Sequence, residues 1–393
     1  MISYGKQTID KTDIDSVIKV LKGEWLTQGP FVEKFENDLK INFKAKYACA
    51  VSNGTAALHL TALALGWNDD DYVILPPITF LSTANCIVYA KANPVFVDID
   101  SHYYCLDPNL VEQKVKYLRK KGKNIKAIIG VDYAGHPCDW ESLRSIADYY
   151  DLILINDNCH AIGAEYKNDF CYSLKYADVV CHSYHPVKPF TTGEGGAVLT
   201  NNYFIDKKVR LLRTHGVTKD PEEINNFEGP WYYEMVDIGF NYRITDLQCA
   251  LGSNQLKKLK NFVSKRKDIA LKYENALREK KPEIVTPKCA KDTTHSYHLY
   301  PVLIDFQQYE IDKVTFFKKM YKAGINLQVH YIPLHYQPFY MQNFGYKKGD
   351  FPISEKFYKE EVSLPIYPDL ANKELLLVVD LINRYLISKK NKF

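Results

Sequence analysis

Between residues 47 and 201, short apolar runs alternate with stretches of helical periodicity. The apolar runs are bounded by turn residues and predict strands at 47–51, 72–75, 94–97, 125–131, 152–155, 177–181 and 197–200. The stretches between them predict helices at 54–65, 80–89, 110–119 and 140–150. Strands separated by helices indicate an α/β fold with a large, mostly parallel sheet that helices cover on both faces.

The segment before this alternation predicts two helices. The first shows apolar residues at i, i+3, i+4 and i+7 behind the polar Asp10 and Thr12, namely Ile14, Val17, Ile18 and Leu21. The second is expected to begin at Pro30, because proline is favoured at the first helical position, and to turn Val32, Phe35 and Leu39 inward.

After residue 201 the alternation weakens and a different organisation follows. Helices are predicted at 244–260 and 267–279, and residues 282–287 form the expected crossing into a second domain. That domain has predicted strands at 297–304 and 326–331 and predicted helices at 313–323 and 373–389. We therefore expect an N-terminal segment and a large α/β domain over 1–260, and a smaller C-terminal α+β domain over 261–393.

Composition narrows the possible functions. A chain of 393 residues is too long for one ordinary core, and a net charge of +4 gives no electrostatic reason to expect nucleic acid or a membrane as partner. Nine scattered cysteines without a Cys-x-x-Cys pair argue against a disulfide framework or structural zinc, and fit a cytoplasmic protein. The first residues lack the apolar segment of a secretion signal. No metal site is expected.

The loop at 182–197 carries the most informative lysine. Lys188 lies between two apolar runs, among hydroxyls and glycines. A lysine packed in such a loop loses solvation, its pKa falls, and its neutral amine becomes a nucleophile toward carbonyls. We therefore predict that Lys188 carries an aldehyde cofactor as a Schiff base. The alternative is a structural loop lysine.

Other polar groups follow predicted strands. Glycine and hydroxyl groups at 53–55 precede a helix and suit a phosphate, although an ordinary turn capped by asparagine has the same pattern. Asp157 ends an aliphatic strand and suits a protonated ring nitrogen, or else caps the next segment. His160 is either a ligand of a phenol oxygen or a core histidine. Phe80 either stacks on a ring or belongs to the core, and Ser183 is a second candidate for the phosphate.

These groups together match pyridoxal 5′-phosphate. This cofactor needs an amine for its aldehyde, a carboxylate for its ring nitrogen, a phosphate cradle and an aromatic face. In the predicted sheet the candidates all lie beyond the carboxyl ends of strands, which is where α/β sheets bind ligands.

The order of several motifs resembles one family. These are Ser-Asn-Gly-Thr-Ala-Ala-Leu at 52–58, Pro-Ile-Thr-Phe at 77–80 with Ala-Asn at 84–85, Asp-Asn-Cys-His-Ala at 157–161, Ser-Tyr-His-Pro-Val-Lys at 183–188, Gly-Glu-Gly-Gly-Ala at 193–197 and Asn-Tyr-Arg-Ile-Thr-Asp at 241–246. Over nearly the whole chain, the sequence resembles the DegT/DnrJ/StrS family of sugar-nucleotide aminotransferases. The stretches at 25–29, 131–135, 182–188 and 328–331 resemble the UDP-4-amino-4,6-dideoxy-N-acetyl-beta-L-altrosamine transaminases of pseudaminic acid biosynthesis.

The resemblance implies a fold and a set of residue roles. The fold would be that of the PLP-dependent transferases of fold type I. Lys188, Asp157 and His160 would be catalytic, as the Schiff-base lysine, the pyridinium partner and the group near the phenol oxygen. The remaining cofactor contacts would be Gly54, Thr55 and Ser183 on the phosphate, Phe80 on the ring, and Asn241 reaching the phosphate from a second subunit. The sugar nucleotide would contact Tyr4, Glu24, Trp25, Leu26, Thr27, Gln328, Val329, His330 and Tyr331.

By the same resemblance, the enzyme would move an amino group from L-glutamate to C4 of a nucleotide-linked 4-keto-6-deoxy sugar, with UDP-2-acetamido-2,6-dideoxy-beta-L-arabino-hex-4-ulose as the expected substrate. It would act as a homodimer with shared sites. A sibling enzyme for a dTDP- or GDP-linked sugar, or for a 3-keto sugar, would share every catalytic residue. A dehydratase of the same fold carries histidine in place of the lysine, which Lys188 opposes. A non-catalytic sensor of the same fold is the alternative from another class.

Overall fold

The computed structural model describes residues 1–278, 280 and 283–387. The strands are β1 Ile2–Ser3, β2 Tyr47–Val51, β3 Asp71–Leu75, β4 Asn93–Phe96, β5 Asn124–Val131, β6 Ile153–Asp157, β7 Val179–Ser183, β8 Gly196–Thr200, β9 Val217–Thr218, β10 Glu234–Met235, β11 Tyr300–Leu303, β12 Ile325–Asn326 and β13 Glu361–Leu364. The largest sheet has seven strands in the order β2-β8-β7-β6-β5-β3-β4. Within it only β8 runs against its neighbours β2 and β7, so the sheet is mostly parallel.

The helices are α1 Lys11–Leu21, α2 Pro30–Phe43, α3 Gly54–Ala64, α4 Leu81–Tyr89, α5 Pro108–Lys120, α6 Trp140–Tyr150, α7 Ser173–Tyr176, α8 Tyr203–Arg213, α9 Asp246–Leu256, α10 Leu259–Leu277, α11 Lys313–Lys322, α12 Pro338–Phe344, α13 Pro352–Glu360 and α14 Asn372–Tyr385. Several begin where a polar side chain caps them. Helix α3 starts after Asn53, whose Oδ1 accepts the Ala56 N–H at 2.8 Å. Among the residues that the structure describes, no helix has the length and apolar character to cross a bilayer.

Alternate residues of the sheet strands belong to two different apolar clusters. In β3, Ile74 packs into a cluster with Phe35 and Trp140, whereas Val73 and Leu75 pack into a second cluster. The second cluster contains Leu58, Leu60 and Ile87, from helices α3 and α4. Since successive strand residues point to opposite faces, helices cover both faces of the sheet. This double burial explains the continuous apolar runs in the sequence.

A third apolar cluster holds the C-terminal part together. It unites α10, α11 and α14 with the antiparallel pair β11 and β13. The N-terminus joins this cluster, because β1 pairs in parallel with β12 and Ile2 is buried there. The division of the chain at residue 260 stays a prediction.

The structure confirms the α/β fold and the strands and helices predicted between 47 and 201, with ends that shift by up to two residues. The predicted helices at 313–323 and 373–389 exist as Lys313–Lys322 and Asn372–Tyr385, so the second ends four residues earlier than predicted, and residues 388 and 389 lie outside the described residues. Of the helices near the N-terminus, α2 turns Phe35 and Leu39 into the core as predicted and leaves Val32 half-buried.

Other expectations were wrong in detail. The helix predicted at 244–260 ends at Leu256, and the next begins at Leu259 rather than 267. Between them, the ammonium group of Lys258 binds Asp10 and Asp13 at 2.7 and 2.9 Å, a contact between distant segments that periodicity does not encode. The end of the second predicted helix at 279 and the start of the predicted crossing at 282 lie outside the described residues.

The strands predicted for the C-terminal part are shorter than expected. The strand expected at 326–331 is only Ile325–Asn326, and the strand expected at 297–304 is Tyr300–Leu303. Beyond Asn326, the extended chain makes a single bridge between Gln328 and Ser363, so its apolar alternation does not correspond to a ladder.

Candidate active site

Four segments meet at the carboxyl-terminal edge of the large sheet. They follow β2, β3, β6 and β7, and they line one cavity of about 830 Å³. Strand β2 is antiparallel to β8, which is antiparallel to β7, so β2 and β7 point the same way. The segments singled out in the sequence at 53–55, 76–80, 156–160 and 182–197 therefore face one another across this edge, as predicted.

Lys188 is partly buried in the loop between β7 and β8. Its backbone N–H donates to the His185 carbonyl at 2.9 Å, which closes a turn, and its Nζ lies 3.5 Å from Nε2 of His298. Burial lowers the pKa of Lys188, and the charges of Cys159 and Asp157 oppose this shift only in part. The amine is thus neutral at a lower pH than an ordinary lysine, which is the form that attacks a carbonyl.

Asp157 is buried at the end of β6 and is held from one side. Its Oδ2 accepts a hydrogen bond from the Thr83 hydroxyl at 2.7 Å, and the Thr83 and Thr79 hydroxyls are 2.8 Å apart. Its Oδ1 accepts the N–H of Cys159 at 3.3 Å. Since a carboxylate oxygen has two lone pairs, Oδ1 can also accept a hydrogen bond from a group in the cavity.

His160 is buried and neutral. Its Nδ1 accepts the N–H of Ala134 at 3.3 Å, and its Nε2 lies 3.0 Å from the Tyr331 hydroxyl. Because Nδ1 accepts, the hydrogen of the neutral ring is on Nε2 and points to the tyrosine. Burial and the charge of Lys188 hold the pKa of His160 well below its usual value. His160 can therefore donate one hydrogen bond at the cavity wall without carrying charge.

The start of α3 forms a cradle with the end of β7. Gly54 and Thr55 lie in the first turn, where backbone N–H groups have no partner within the helix. A Cβ at Gly54 would lie 2.7 Å from the Cβ of Ser183, so only glycine permits this approach. The Thr55 and Ser183 side chains line the same part of the cavity. Such a helix start attracts a phosphate.

Phe80 lies at the rim of the cavity. Its side chain is 52% exposed, which rules out the core alternative, and its ring centroid is 6.1 Å from that of Tyr331. An exposed aromatic ring at the edge of a pocket gains burial when a flat ligand stacks on it.

The residues predicted to contact a sugar nucleotide fall into two groups. The structure brings Tyr4, Gln328, Val329, His330 and Tyr331 to the cavity wall. It does not bring Glu24, Trp25, Leu26, Thr27 or Asn241 to the cavity of the same chain, and all of these are exposed. The backbone at these residues is nevertheless held by isolated β-bridges, one between Thr27 and Thr245 and one between Asn241 and Thr214.

Two residues near the cofactor groups were missed in the sequence. Thr83 follows Thr79 by four positions and therefore lies on the same side of the start of α4, a spacing that could have pointed to it. His298 precedes β11 and is remote in sequence from Lys188, so no local pattern places it beside the lysine.

These residues fit pyridoxal 5′-phosphate. The amine of Lys188, the available oxygen of Asp157 and the glycine cradle at Gly54 are the three groups that its aldehyde, ring nitrogen and phosphate require.

Comparison with known proteins gives matches over nearly the full length. The sequence profile of the DegT/DnrJ/EryC1/StrS aminotransferase family matches residues 7–383. UDP-4-amino-4,6-dideoxy-N-acetyl-beta-L-altrosamine transaminase from Campylobacter jejuni is 39% identical over 381 residues, which are 97% of this chain and 96% of that protein.

Two solved structures are similar throughout. Helicobacter pylori PseC, an aminotransferase involved in the biosynthesis of pseudoaminic acid, has a TM-score of 0.87 and 29% identity over 98% of this chain and 99% of its own. The putative sugar aminotransferase Spr1654 from Streptococcus pneumoniae, in its PMP form, has a TM-score of 0.89 and 27% identity, with the same coverage.

Proposed function

Because this chain belongs to the DegT/DnrJ/EryC1/StrS aminotransferase family, we propose that it is the pyridoxal 5′-phosphate-dependent enzyme that transfers the amino group of L-glutamate to C4 of a nucleotide-linked 4-keto-6-deoxy sugar. The observation that carries this proposal is that the Lys188 amine and the Asp157 carboxylate line one cavity beside a glycine cradle. This arrangement provides what an aminotransferase needs before any substrate binds.

We assign the cofactor contacts as follows. Gly54, Thr55 and Ser183 hold the phosphate, and Phe80 covers one face of the ring. Asp157 accepts a hydrogen bond from the ring nitrogen and keeps it protonated, because an ionised carboxylate stabilises a neighbouring positive charge. We assign to His160 a contact near the phenol oxygen: the Nε2 hydrogen that points to the Tyr331 hydroxyl would be shared with that oxygen, a role that the neutral state of the ring allows.

The chain's own residues then move the protons. When bound, pyridoxal 5′-phosphate supplies an aldehyde that accepts amino groups and a ring that spreads negative charge. The neutral Lys188 amine takes the proton from the Cα of glutamate as a general base and delivers protons as a general acid. The lowered pKa of Lys188 keeps the base form available at a lower pH than an ordinary lysine would.

We further propose that the sugar substrate is UDP-2-acetamido-2,6-dideoxy-beta-L-arabino-hex-4-ulose. The support is the match to the Campylobacter jejuni transaminase over nearly the whole of both chains. Tyr4 and the wall at 328–331 extend the cavity beyond the cofactor groups and offer a place for the sugar.

A second copy of the chain would complete the site. Asn241 and the loop at 24–27 are exposed and outside the cavity of their own chain. Exposed apolar side chains lie in this loop, at Trp25 and Leu26, and on the preceding helix α1, at Ile14, Ile18 and Leu21. An apolar surface of this kind is typical of a surface that another protein covers. We therefore propose a homodimer in which each chain supplies Asn241 and the loop to its partner's cavity.

The experiment measures kcat/KM with L-glutamate and UDP-, dTDP- or GDP-linked 4-keto-6-deoxy sugars. We expect the UDP-linked sugar to give the largest value, and Lys188→Ala to lower kcat by several orders of magnitude because the attacking and proton-transferring amine is lost. Lys116→Ala, which removes an exposed lysine on α5, is the matched control and keeps full activity. Near-normal turnover in Lys188→Ala would refute the proposed mechanism, and a preference for dTDP or GDP would change the substrate.

A further inference from the structure

Three buried side chains form a hydrogen-bonded chain behind the cavity wall. Ser363 lies between Glu361 and His330: its hydroxyl oxygen is 2.5 Å from Oε1 of Glu361 and 2.8 Å from Nδ1 of His330. The backbone N–H of His330 donates to the other carboxyl oxygen, Oε2, at 3.0 Å. Glu361 and Ser363 are almost completely buried, and His330 lines the cavity.

The positions of the hydrogens follow from these contacts. The backbone N–H fixes Oε2 as an acceptor, so an ionised Glu361 also accepts at Oε1 and the Ser363 hydroxyl must donate there. The serine oxygen then accepts, and Nδ1 of His330 must carry the hydrogen that it receives. Burial and the charge of Lys188 lower the pKa of His330 to about 3, so the ring is neutral and has only that hydrogen.

The other ring nitrogen is therefore a free acceptor. Nε2 of His330 has no hydrogen-bond partner within residues 1–278, 280 and 283–387, His330 lines the cavity, and the centroid of its ring is 5.1 Å from that of Tyr4 and 4.9 Å from that of Tyr331. The Tyr133 hydroxyl donates to the His330 carbonyl and holds the backbone as well. The structure thus presents one oriented acceptor to a ligand.

We propose that His330 is a specificity-determining residue whose Nε2 accepts a hydrogen bond from a donor on the bound sugar, either a hydroxyl or an acetamido N–H, and that Ser363 and Glu361 are positioning residues that keep Nε2 free of hydrogen. The inference rests on the proposed function and deepens it. The two carboxylates of glutamate have only acceptors, and its amino group is the group that reacts with the cofactor, so this arrangement acts on the sugar and not on the amino donor.

Protonation of Glu361 would reverse the direction of the hydrogen bonds that link Glu361, Ser363 and His330. The proton could sit only on Oε1, where it would donate to Ser363, and Ser363 would then donate to Nδ1 and leave the hydrogen on Nε2. Burial raises the pKa of Glu361, while Ser363, Lys313 and the His330 N–H oppose this. The kcat/KM for the sugar should therefore increase with pH as Glu361 loses its proton, at a higher pH than for an ordinary glutamate.

Other titratable groups surround this chain of bonds. They are Lys188, His160 and His298 around the cavity, Tyr4, Tyr133 and Tyr331 beside the imidazole, and Lys313 near the carboxyl. A pH profile alone would mix their effects, so the variants below are compared with the wild type at each pH.

Glu361→Gln is the decisive variant. Its amide oxygen must face the His330 N–H, so its NH₂ group donates to Ser363 and fixes the reversed arrangement with hydrogen on Nε2. We expect kcat/KM for the sugar to fall by about tenfold to a hundredfold, because the Nε2 hydrogen of His330 then faces the donor of the sugar. We also expect the increase of kcat/KM with pH that we attribute to Glu361 to disappear. Ser363→Ala should also lose that increase, and Ser363→Thr, which keeps the hydroxyl, should restore it. The rate at which glutamate converts the bound cofactor to its pyridoxamine form, followed by absorbance, should stay within about twofold in Glu361→Gln.

Two substrate analogues identify the donor, one sugar without the acetamido group and one without the C3 hydroxyl. With the analogue that lacks the donor of this hydrogen bond, the wild type and Glu361→Gln should have the same kcat/KM.

An independent readout is the ¹⁵N chemical shift of the His330 ring, assigned by its absence in His330→Gln. We expect an unprotonated Nε2 in the wild type and a protonated Nε2 in Glu361→Gln. A protonated Nε2 in the wild type, or unchanged kcat/KM for the sugar in Glu361→Gln, would overturn the inference. Failure of the wild type to aminate any sugar nucleotide would refute the proposed function instead, and the ¹⁵N shifts would still test the hydrogen-bond chain.

Discussion

The orientation of the Asp157 carboxylate depends on one hydroxyl. Thr83 donates to Oδ2 at 2.7 Å, and Thr79 lies behind it at 2.8 Å. Thr83→Val keeps the shape of the side chain and removes the donor. A hydrogen bond to a charged group contributes about 1.5–3 kcal/mol, so we expect the Kd for pyridoxal 5′-phosphate to rise by about tenfold to a hundredfold. Absorbance titration of the unloaded protein measures this.

The control for this prediction is Thr61→Val. The Thr61 hydroxyl is also buried and donates to the Ala57 carbonyl at 2.9 Å, but it does not touch Asp157. We expect the Kd of this variant to stay near the wild-type value. If both variants bind the cofactor as the wild type does, Thr83 does not orient the carboxylate.

Single site residues could be predicted where a charged side chain stood at a position in the chain that otherwise favours apolar residues. Lys188 and Asp157 stood out because a charged residue next to an apolar strand needs an explanation, and the structure brings both to one cavity. Glu361 and Ser363 gave no such signal. They alternate with Val362 and Leu364 in a short strand, and only the chain crossing at 328–330 gives them a partner in the site. Local sequence patterns do not predict contacts between segments that are remote in sequence.

At the scale of elements, the start of α3 offers a direct test of the phosphate cradle. In Gly54→Ala, the new Cβ would lie 2.7 Å from the Cβ of Ser183 and would enter the space in front of the helix N–H groups. The backbone itself tolerates alanine, because the first helical turn has ordinary dihedral angles. We expect the affinity for pyridoxal 5′-phosphate to fall at least tenfold and the thermal stability of the unloaded protein to fall as well, because the end of β7 at Ser183 must move away from the new Cβ. Titration and thermal unfolding measure the two effects.

Gly23→Ala is the matched control for Gly54→Ala. Gly23 lies between α1 and α2, outside the cavity of its own chain, and its added Cβ would approach the Val20 and Lys19 carbonyls at 3.3 and 3.5 Å. Its cofactor affinity should equal that of the wild type. Equal affinity in Gly54→Ala would show that the phosphate is held elsewhere.

The elements that the sequence predicted well are those whose burial is uniform. Each strand of the large sheet is covered on both faces, so its composition alone marks it. Of the intervening helices that were predicted, α3, α5 and α6 have a polar side-chain cap, whereas α4 begins after Phe80 without one. The elements that were not predicted are helices α7, α8, α12 and α13 and strands β1, β9, β10 and β13. In the C-terminal part, short elements pack on one another across long sequence distances, and periodicity over a few residues does not separate strand from extended loop.

At the scale of the whole molecule, buried histidines make the fold sensitive to acid. Burial lowers the pKa of His136 to about 4 and that of His182 and His330 to about 3, and it holds the pKa of His160, His295 and His298 well below the usual value. In the unfolded chain these rings take up protons near pH 6.5. As the pH falls below that value, the unfolded state gains protons that the folded state cannot bind, so stability decreases toward acid pH.

Each of these histidines contributes about 1.4 kcal/mol per pH unit once the pH is well below 6.5. Burial raises the pKa of Asp132 to about 6 and also raises the pKa of Glu361, and both shifts act in the opposite direction because the folded state then binds the extra proton. With six histidines against these two carboxyls, we expect the urea midpoint of the unloaded protein to fall between pH 7 and pH 5, at fixed protein concentration. His182→Gln should make that dependence shallower by about one histidine's share, and equal stability at the two pH values would contradict the burial of neutral rings.

The exposed position of Asn241 leads to the last prediction, which concerns the assembly. If Asn241 serves the partner's cavity, Lys188→Ala and Asn241→Asp homodimers are each inactive, but a hybrid of the two has one cavity with an intact lysine and an intact asparagine. After random subunit exchange, half of the dimers are hybrids, so the mixture should recover about a quarter of wild-type activity. Lys188→Ala mixed with Asp157→Asn is the control, because Lys188 and Asp157 line the cavity of one chain and no hybrid cavity has both. Recovery only in the first mixture would establish shared sites, whereas no recovery in either would place Asn241 with its own chain's lysine and refute the shared dimer.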